Sequence, residues 1–171
     1  NDTPHGGFYT QDELRDIVSY AAAHKIDVIP EIDLPGHAMA MIAAYPELSC
    51  TGKPAEVRTK WGISKDILCA GNDHVYDFVK GVLDEVCDVF PSQYIHLGGD
   101  EAPKERWCNC KLCKARMSEL KLGSFEQLQT YMVNEFRAYL EQKGRKVICW
   151  NDGLDDSANS DIVSQVWAPG T

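Results

Sequence analysis

The sequence predicts an α/β domain built from parallel strand–helix units. Short apolar runs rich in β-branched residues alternate with amphipathic stretches long enough to cross back over a sheet. Pro and Gly fall at the breaks, and the unusual polar and aromatic residues gather just after the apolar runs. A closed barrel and a doubly wound open sheet both satisfy this alternation.

Each element has its own signal. Thr10 and Glu13 form a capping box ahead of Leu14, Ile17, Val18, Ala21 and Ala22 at helical spacing, which predicts a helix from about Thr10 to His24. IDVIPEID, Ile26 to Asp33, reads as a short buried strand. Pro30 demands a bulge or a strand end there, because proline has no N–H for a ladder. After the turn Leu34-Pro35-Gly36, the small residues of HAMAMIAAY predict a short helix from near His37, ended by Pro46. From Asn72, the residues Val75, Phe78, Val79, Val82, Leu83, Val86, Val89 and Phe90 trace one face of a long helix stopped by Pro91. YIHLGGDE, Tyr94 to Glu101, starts as the second strand. Ser124 and Gln127 open another helix through Leu128, Met132, Phe136, Tyr139 and Leu140 to Gly144. KVICW (Lys146 to Trp150) and DIVSQVW (Asp161 to Trp167) are the third and fourth strands. No repeat, low-complexity tract or linker divides the chain, so one domain is expected.

The 171 residues are 44% hydrophobic and 25% charged, enough to bury a real core. A net charge of −9 argues against nucleic acid or an anionic membrane surface as partner, since both reward clustered Lys and Arg. No run approaches the roughly 20 apolar residues of a membrane helix. The chain opens at Asn1 without Met and stops just past a strand-like run, so it reads as a piece of something longer. Seven cysteines cannot all pair internally. Cys50 and Cys69 bracket a polar stretch and would close it as a disulfide in an exported protein; two buried thiols are the alternative. Cys108, Cys110 and Cys113 have the close spacing of metal ligands. A structural zinc takes four, and no fourth Cys or His follows at the usual distance, so free thiols and no metal are expected, with a metal completed by a distant fourth ligand as the alternative. No phosphate loop or nucleotide fingerprint is present, and no cofactor is expected.

The chemistry is concentrated at strand ends. Asp33 ends the first predicted strand, Asp100 and Glu101 follow the second, Trp150, Asn151 and Asp152 the third, and Trp167 the fourth. In a parallel barrel these carboxyl ends make one face, where active sites are built. Successive side chains of a regular strand face opposite ways, so Asp100 and Glu101 reach one ligand only if the strand has ended, which Gly98 and Gly99 permit. The plainer alternative is a Gly-Gly turn whose exposed acids cap a helix, with Pro103 in its first turn.

YIHLGGDE together with PEIDLPGH, LCAGN and the two later tryptophans resembles the catalytic domain of family 20 glycoside hydrolases, the β-N-acetylhexosaminidases, over nearly the whole chain. The resemblance implies a (β/α)8 TIM barrel of which this chain is about the central half, with four parallel strands, as a single partial catalytic domain. It implies retaining hydrolysis of terminal N-acetylglucosamine or N-acetylgalactosamine with the substrate's own 2-acetamido oxygen as nucleophile. Asp100 would accept the acetamido N–H and offset the oxazolinium-like charge; Glu101 would protonate the leaving oxygen and then deprotonate water. Trp150 and Trp167 would wall the acetamido pocket, His37 would join the hydrogen-bonded network at the acids, and Asp33 would support them from behind; His96, inside the strand two residues before Gly98, reads as a barrel-interior residue or a further support. After the third strand the family commonly shows Gly-Trp-Asp-Glu, whereas Cys149-Trp150-Asn151-Asp152 stands here. The family's substrate-gripping Arg, its Tyr and a further acid and Trp would lie outside this chain, which by itself would be inactive. The implied partners are N-acetylhexosamine-terminated glycans, and the implied location is periplasmic, cell-surface or secreted. A noncatalytic sugar-binding relative, or a metal-dependent barrel hydrolase using Asp33, His37 and Glu101, would be the competing readings.

Overall fold

A computed structural model describes residues 6–167. Helix α1, Gln11–Ala23, begins at the predicted capping box. The Glu13 N–H donates to Thr10 Oγ1 at 3.2 Å, and the Thr10 N–H donates to Glu13 Oε2 at 2.7 Å. A short α2, Met39–Ala44, follows and gives way at Pro46 to a single 3-10 turn. Asn72 caps α3, Asp73–Val89, by accepting the His74 N–H.

Strands β1 (Tyr94–His96), β2 (Lys146–Trp150) and β3 (Val163–Gln165) form one parallel sheet in chain order. Tyr94 lies opposite Lys146, and Ile148 opposite Val163. The predicted first strand forms only in part: Ile26 to Asp33 runs extended beside β1, with one parallel bridge between Glu31 and His96. The Ile32 N–H donates to the His96 carbonyl and the His96 N–H to the Pro30 carbonyl, both at 2.9 Å. Pro30 has no N–H to return, so the ladder is cut short there. Three strands and an extended fourth segment therefore stand where four strands were expected.

The core lies between this sheet and two crossover helices, α3 and α6, Phe125–Gln142. Val75, Val79 and Leu83 of α3 and Leu128, Met132, Phe136 and Leu140 of α6 are fully buried against Ile95, Leu97, Val147 and Cys149. Apolar spacing of three and four along each helix produces that single buried face. Between β1 and α6 two short helices form: α4, Glu105–Asn109, and α5, Lys111–Leu120. Trp107 anchors them, fully buried, its indole N–H donating to the Leu68 carbonyl at 2.9 Å. No helix among the described residues is long and apolar enough to cross a membrane.

Of the two alternatives open for Cys50 and Cys69, the structure has free thiols and no disulfide between them, Cys69 buried and Cys50 half-buried. Their sulfurs instead gather with those of Cys110 and Cys113, while Cys108 is exposed and apart. The close-spaced trio of the sequence is thus divided by the turn between α4 and α5.

Candidate active site

Beyond the carboxyl ends of the strands lies a cleft of about 490 Å³ lined by Glu31, Asp33, His37, Asp100, Glu101, Trp150 and Trp167. Six of these seven come from the predicted set, and the volume suits one sugar-sized ligand.

The two adjacent acids converge because the backbone leaves strand geometry. Gly98 and Gly99 have φ of 65° and 106°, and Glu101 itself adopts φ 47°. Gly98 is also sterically required, since a Cβ there would stand 1.9 Å from Asp33 Oδ1. After this turn, His37 Nε2 lies 3.5 Å from Asp100 Oδ2 and 3.4 Å from Glu101 Oε2, so one ring nitrogen faces both carboxylates. His37 reaches them from the Leu34-Pro35-Gly36 turn, where a Cβ on Gly36 would approach the Asp100 carbonyl to 2.9 Å. The close approach of the two turns thus needs glycine on both sides.

Asp100 Oδ1 is buried and has no hydrogen-bond donor among the described residues. A buried carboxylate oxygen left this way costs free energy unless a ligand completes it. Asp33 sits behind, its Oδ1 accepting the Gly99 N–H at 3.1 Å. Burial pushes its carboxyl up to about 7, the charge of Asp100 adds to the rise, and the Gly99 N–H and His37 oppose it. Asp33, His37 and Asp100 offer three ligand atoms within 4.8 Å of one another, a set able to hold a cation as well as a proton network.

The aromatic wall is tied down by acids. The Trp150 indole N–H donates to Glu31 Oε1 at 2.9 Å, and its ring lies 4.8 Å from that of His96. His96 is buried beneath the cleft floor, its Nδ1 accepting the Gly98 N–H at 2.9 Å. Burial lowers its pKa against the pull of Glu31 and Asp100. Trp167 is half-exposed at the rim, with its indole N–H on Asp152 Oδ1 at 2.8 Å. Asp152 Oδ2 accepts the Glu101 N–H at 3.2 Å, so this one carboxylate joins the Glu101 turn to the Trp167 wall. Asn151 Oδ1 takes the Trp167 backbone N–H at 3.0 Å. The pair that departs from the usual family pattern is therefore built into the site.

Two residues escaped the sequence reading. Glu31 had a signal: it lies two positions before Asp33 in an extended segment and shares its face. Gln129 had none, being a polar residue inside an amphipathic helix. It is buried, its amide N–H2 donates to the carbonyls of Gly99 (2.6 Å) and Gly153 (3.2 Å), and its oxygen accepts from Lys104.

The family model for the catalytic domain of glycosyl hydrolase family 20 matches residues 1–171. A β-hexosaminidase of Porphyromonas gingivalis is 43% identical over 96% of this chain and 21% of its own length. One of Akkermansia muciniphila is 45% identical over 88% of the chain and 31% of its length. The crystal structure of a Bacteroides fragilis β-N-acetylhexosaminidase superposes with a TM-score of 0.85 at 44% identity, covering 94% of this chain and 32% of that one. A Flavobacterium johnsoniae chitobiase gives 0.90 at 31% identity, covering 94% and 24%. The chain thus spans about a fifth to a third of the relatives it matches. With a family model covering every residue and the paired acids drawn together at the strand ends, the chain belongs to glycosyl hydrolase family 20, as part of its catalytic domain.

Proposed function

We propose that this chain is the central half of a (β/α)8 barrel in a retaining exo-β-N-acetylhexosaminidase that cleaves terminal N-acetylglucosamine or N-acetylgalactosamine from glycans by substrate assistance. The observation that carries the reading is the convergence of Asp100 and Glu101 on one histidine in a tryptophan-walled cleft, with Asp100 Oδ1 buried and lacking a donor. An acetamido N–H is the donor that oxygen would receive.

The acetamido carbonyl oxygen then attacks the anomeric carbon as the glycosidic C–O bond breaks, and the Glu101 carboxyl proton passes to the leaving oxygen. Asp100 holds the amide and offsets the positive charge of the oxazolinium ring. In the second half, water attacks the same carbon, its proton returns to Glu101, and the ring opens with configuration retained. Trp150 and Trp167 present indole faces to the acetamido methyl and sugar C–H groups. His37, facing both acids, fixes their separation. The similar proteins are named β-hexosaminidase, β-N-acetylhexosaminidase and chitobiase, which supports this substrate class. The proposal carries with it a periplasmic, cell-surface or secreted location, the one expected from glycan-degrading relatives, and an inactive segment when this chain stands alone.

The test compares nitrophenyl N-acetyl-β-glucosaminide with nitrophenyl β-glucoside, on the intact protein of which this chain is part. The leaving group is the same, and only the acetamido is exchanged for hydroxyl. Hydrolysis of the first and background rates on the second are expected. Comparable turnover of both would reject the substrate as nucleophile.

A further inference from the structure

We propose that Cys50, Cys69, Cys110 and Cys113 form a structural zinc site, a tetrahedral four-thiolate centre outside the catalytic cleft. The four sulfurs all lie within 4.8 Å of one another. Cys50–Cys113 stand 3.8 Å apart, and Cys69–Cys110 and Cys69–Cys113 each 3.7 Å. With a Zn–S bond of about 2.3 Å, the edge of a sulfur tetrahedron is about 3.8 Å. Disulfides would need about 2.0 Å between paired sulfurs. Iron–sulfur clusters spread their cysteines over separate irons, so spacing this tight fits a single ion.

The backbone brings the four together by independent means. An antiparallel bridge between Ser49 and Leu68 sets Cys50 beside Cys69, with the Cys69 N–H on the Leu48 carbonyl at 2.8 Å. Cys110 sits at the bend between α4 and α5, at φ −88° and ψ 124°, which turns its side chain towards Cys113 in the first turn of α5. The two halves meet where Gly71 packs on Leu112: a Cβ on Gly71 would stand 2.2 Å from the Leu112 carbonyl carbon. Cys69, Cys110 and Cys113 are buried and Cys50 half-buried, leaving one side from which an ion enters. A divalent cation bound there would take the four sulfurs as thiolates, their protons leaving as it binds.

All four positions are filled by protein, so the site is closed and structural rather than catalytic. Its consequence is positional. The Leu68 N–H donates to the Pro35 carbonyl at 3.0 Å beside the His37 turn, and α4 follows directly after the Asp100–Glu101 turn. Zinc would staple together the two excursions that leave the two halves of the catalytic cleft. The proposal is independent of the roles assigned to Asp100 and Glu101.

Elemental analysis of the intact protein, purified without chelator or metal-affinity resin, is expected to return one zinc per chain, with an X-ray absorption shell of sulfurs at about 2.3 Å. Cys110→Ser/Cys113→Ser is expected to lose the zinc, and Cys108→Ser, altering the exposed thiol, to keep it. Wild-type protein that purifies without zinc, contains iron in its place, or shows a nitrogen and oxygen shell would overturn the proposal. So would zinc retained by the double variant. The wild-type measurements decide the matter even if the double variant is insoluble.

Discussion

Asp33 is a carboxyl held far from its ordinary protonation. Its folded pKa is raised from 3.8 to about 7. The folded state therefore binds its proton more tightly than the unfolded state, and that stabilisation is complete below about pH 4 and lost as pH rises through 7. Asp33→Asn keeps an acceptor for the Gly99 N–H and cannot ionise. Relative to wild type it should gain stability between pH 5 and pH 8 in urea denaturation; a difference constant across that range would contradict the burial argument. On the proposed mechanism, Asp100 and Glu101 divide the chemistry. Glu101→Gln should lower kcat by about 10²- to 10⁴-fold on poor leaving groups, with much less loss on activated aryl glycosides that need no proton. Asp100→Asn should lose rate on both, because amide positioning precedes either kind of departure. Equal losses for the two variants on activated substrates would contradict this division. Asp100, Glu101, His37 and the tryptophans were legible because each follows a strand-like run or a Gly-rich turn. Gln129 was not, because only tertiary packing shows that its amide reaches two backbone carbonyls from a helix thirty residues away in sequence from Gly99.

At the scale of elements, local chemistry set the boundaries that the sequence predicts best. Thr10, Asn72 and Ser124 each cap the helix expected after them. Thr10→Ala should cost about 0.5–2 kcal/mol by thermal or chemical denaturation. The first strand was less legible, since its partner is β1, more than sixty residues distant, and Pro30 weakens the pairing. Helices α4 and α5 were not legible beyond the alternative of a helix after the Asp100–Glu101 turn: they are held by Trp107 and by the cysteine cluster, contacts to a loop forty residues earlier. Gln129→Ala is the element-scale test of the cleft floor. It removes the donor that α6 supplies to Gly99 and Gly153, and leaving those carbonyls unpaired should cost about 1–3 kcal/mol. Activity should fall further than stability if the Gly99 turn then relaxes.

For the whole molecule, the parallel alternation of strands and helices was readable from periodicity, whereas the number of strands and the barrel closure were not. Both sheet edges stay open among the described residues. β3 is exposed at all three positions, with Val163 and Val166 uncovered, and Ile26 and Ile29 are uncovered near the opposite edge. Open apolar edges are a liability that barrels remove by pairing. This segment expressed alone should therefore associate or bind hydrophobic dye and hydrolyse nothing, whereas protein of its relatives' full length should do neither and turn over substrate. An active, monodisperse segment would contradict the half-barrel reading. The central claim, that the substrate's amide is the nucleophile, is tested most directly by kcat/KM of the intact protein on N-acetylglucosaminides bearing none, one, two or three fluorines on the acetamido methyl. Fluorine withdraws electrons from the attacking oxygen while hardly changing the leaving group, so the account predicts a steep fall with each substitution, and a flat series would contradict it.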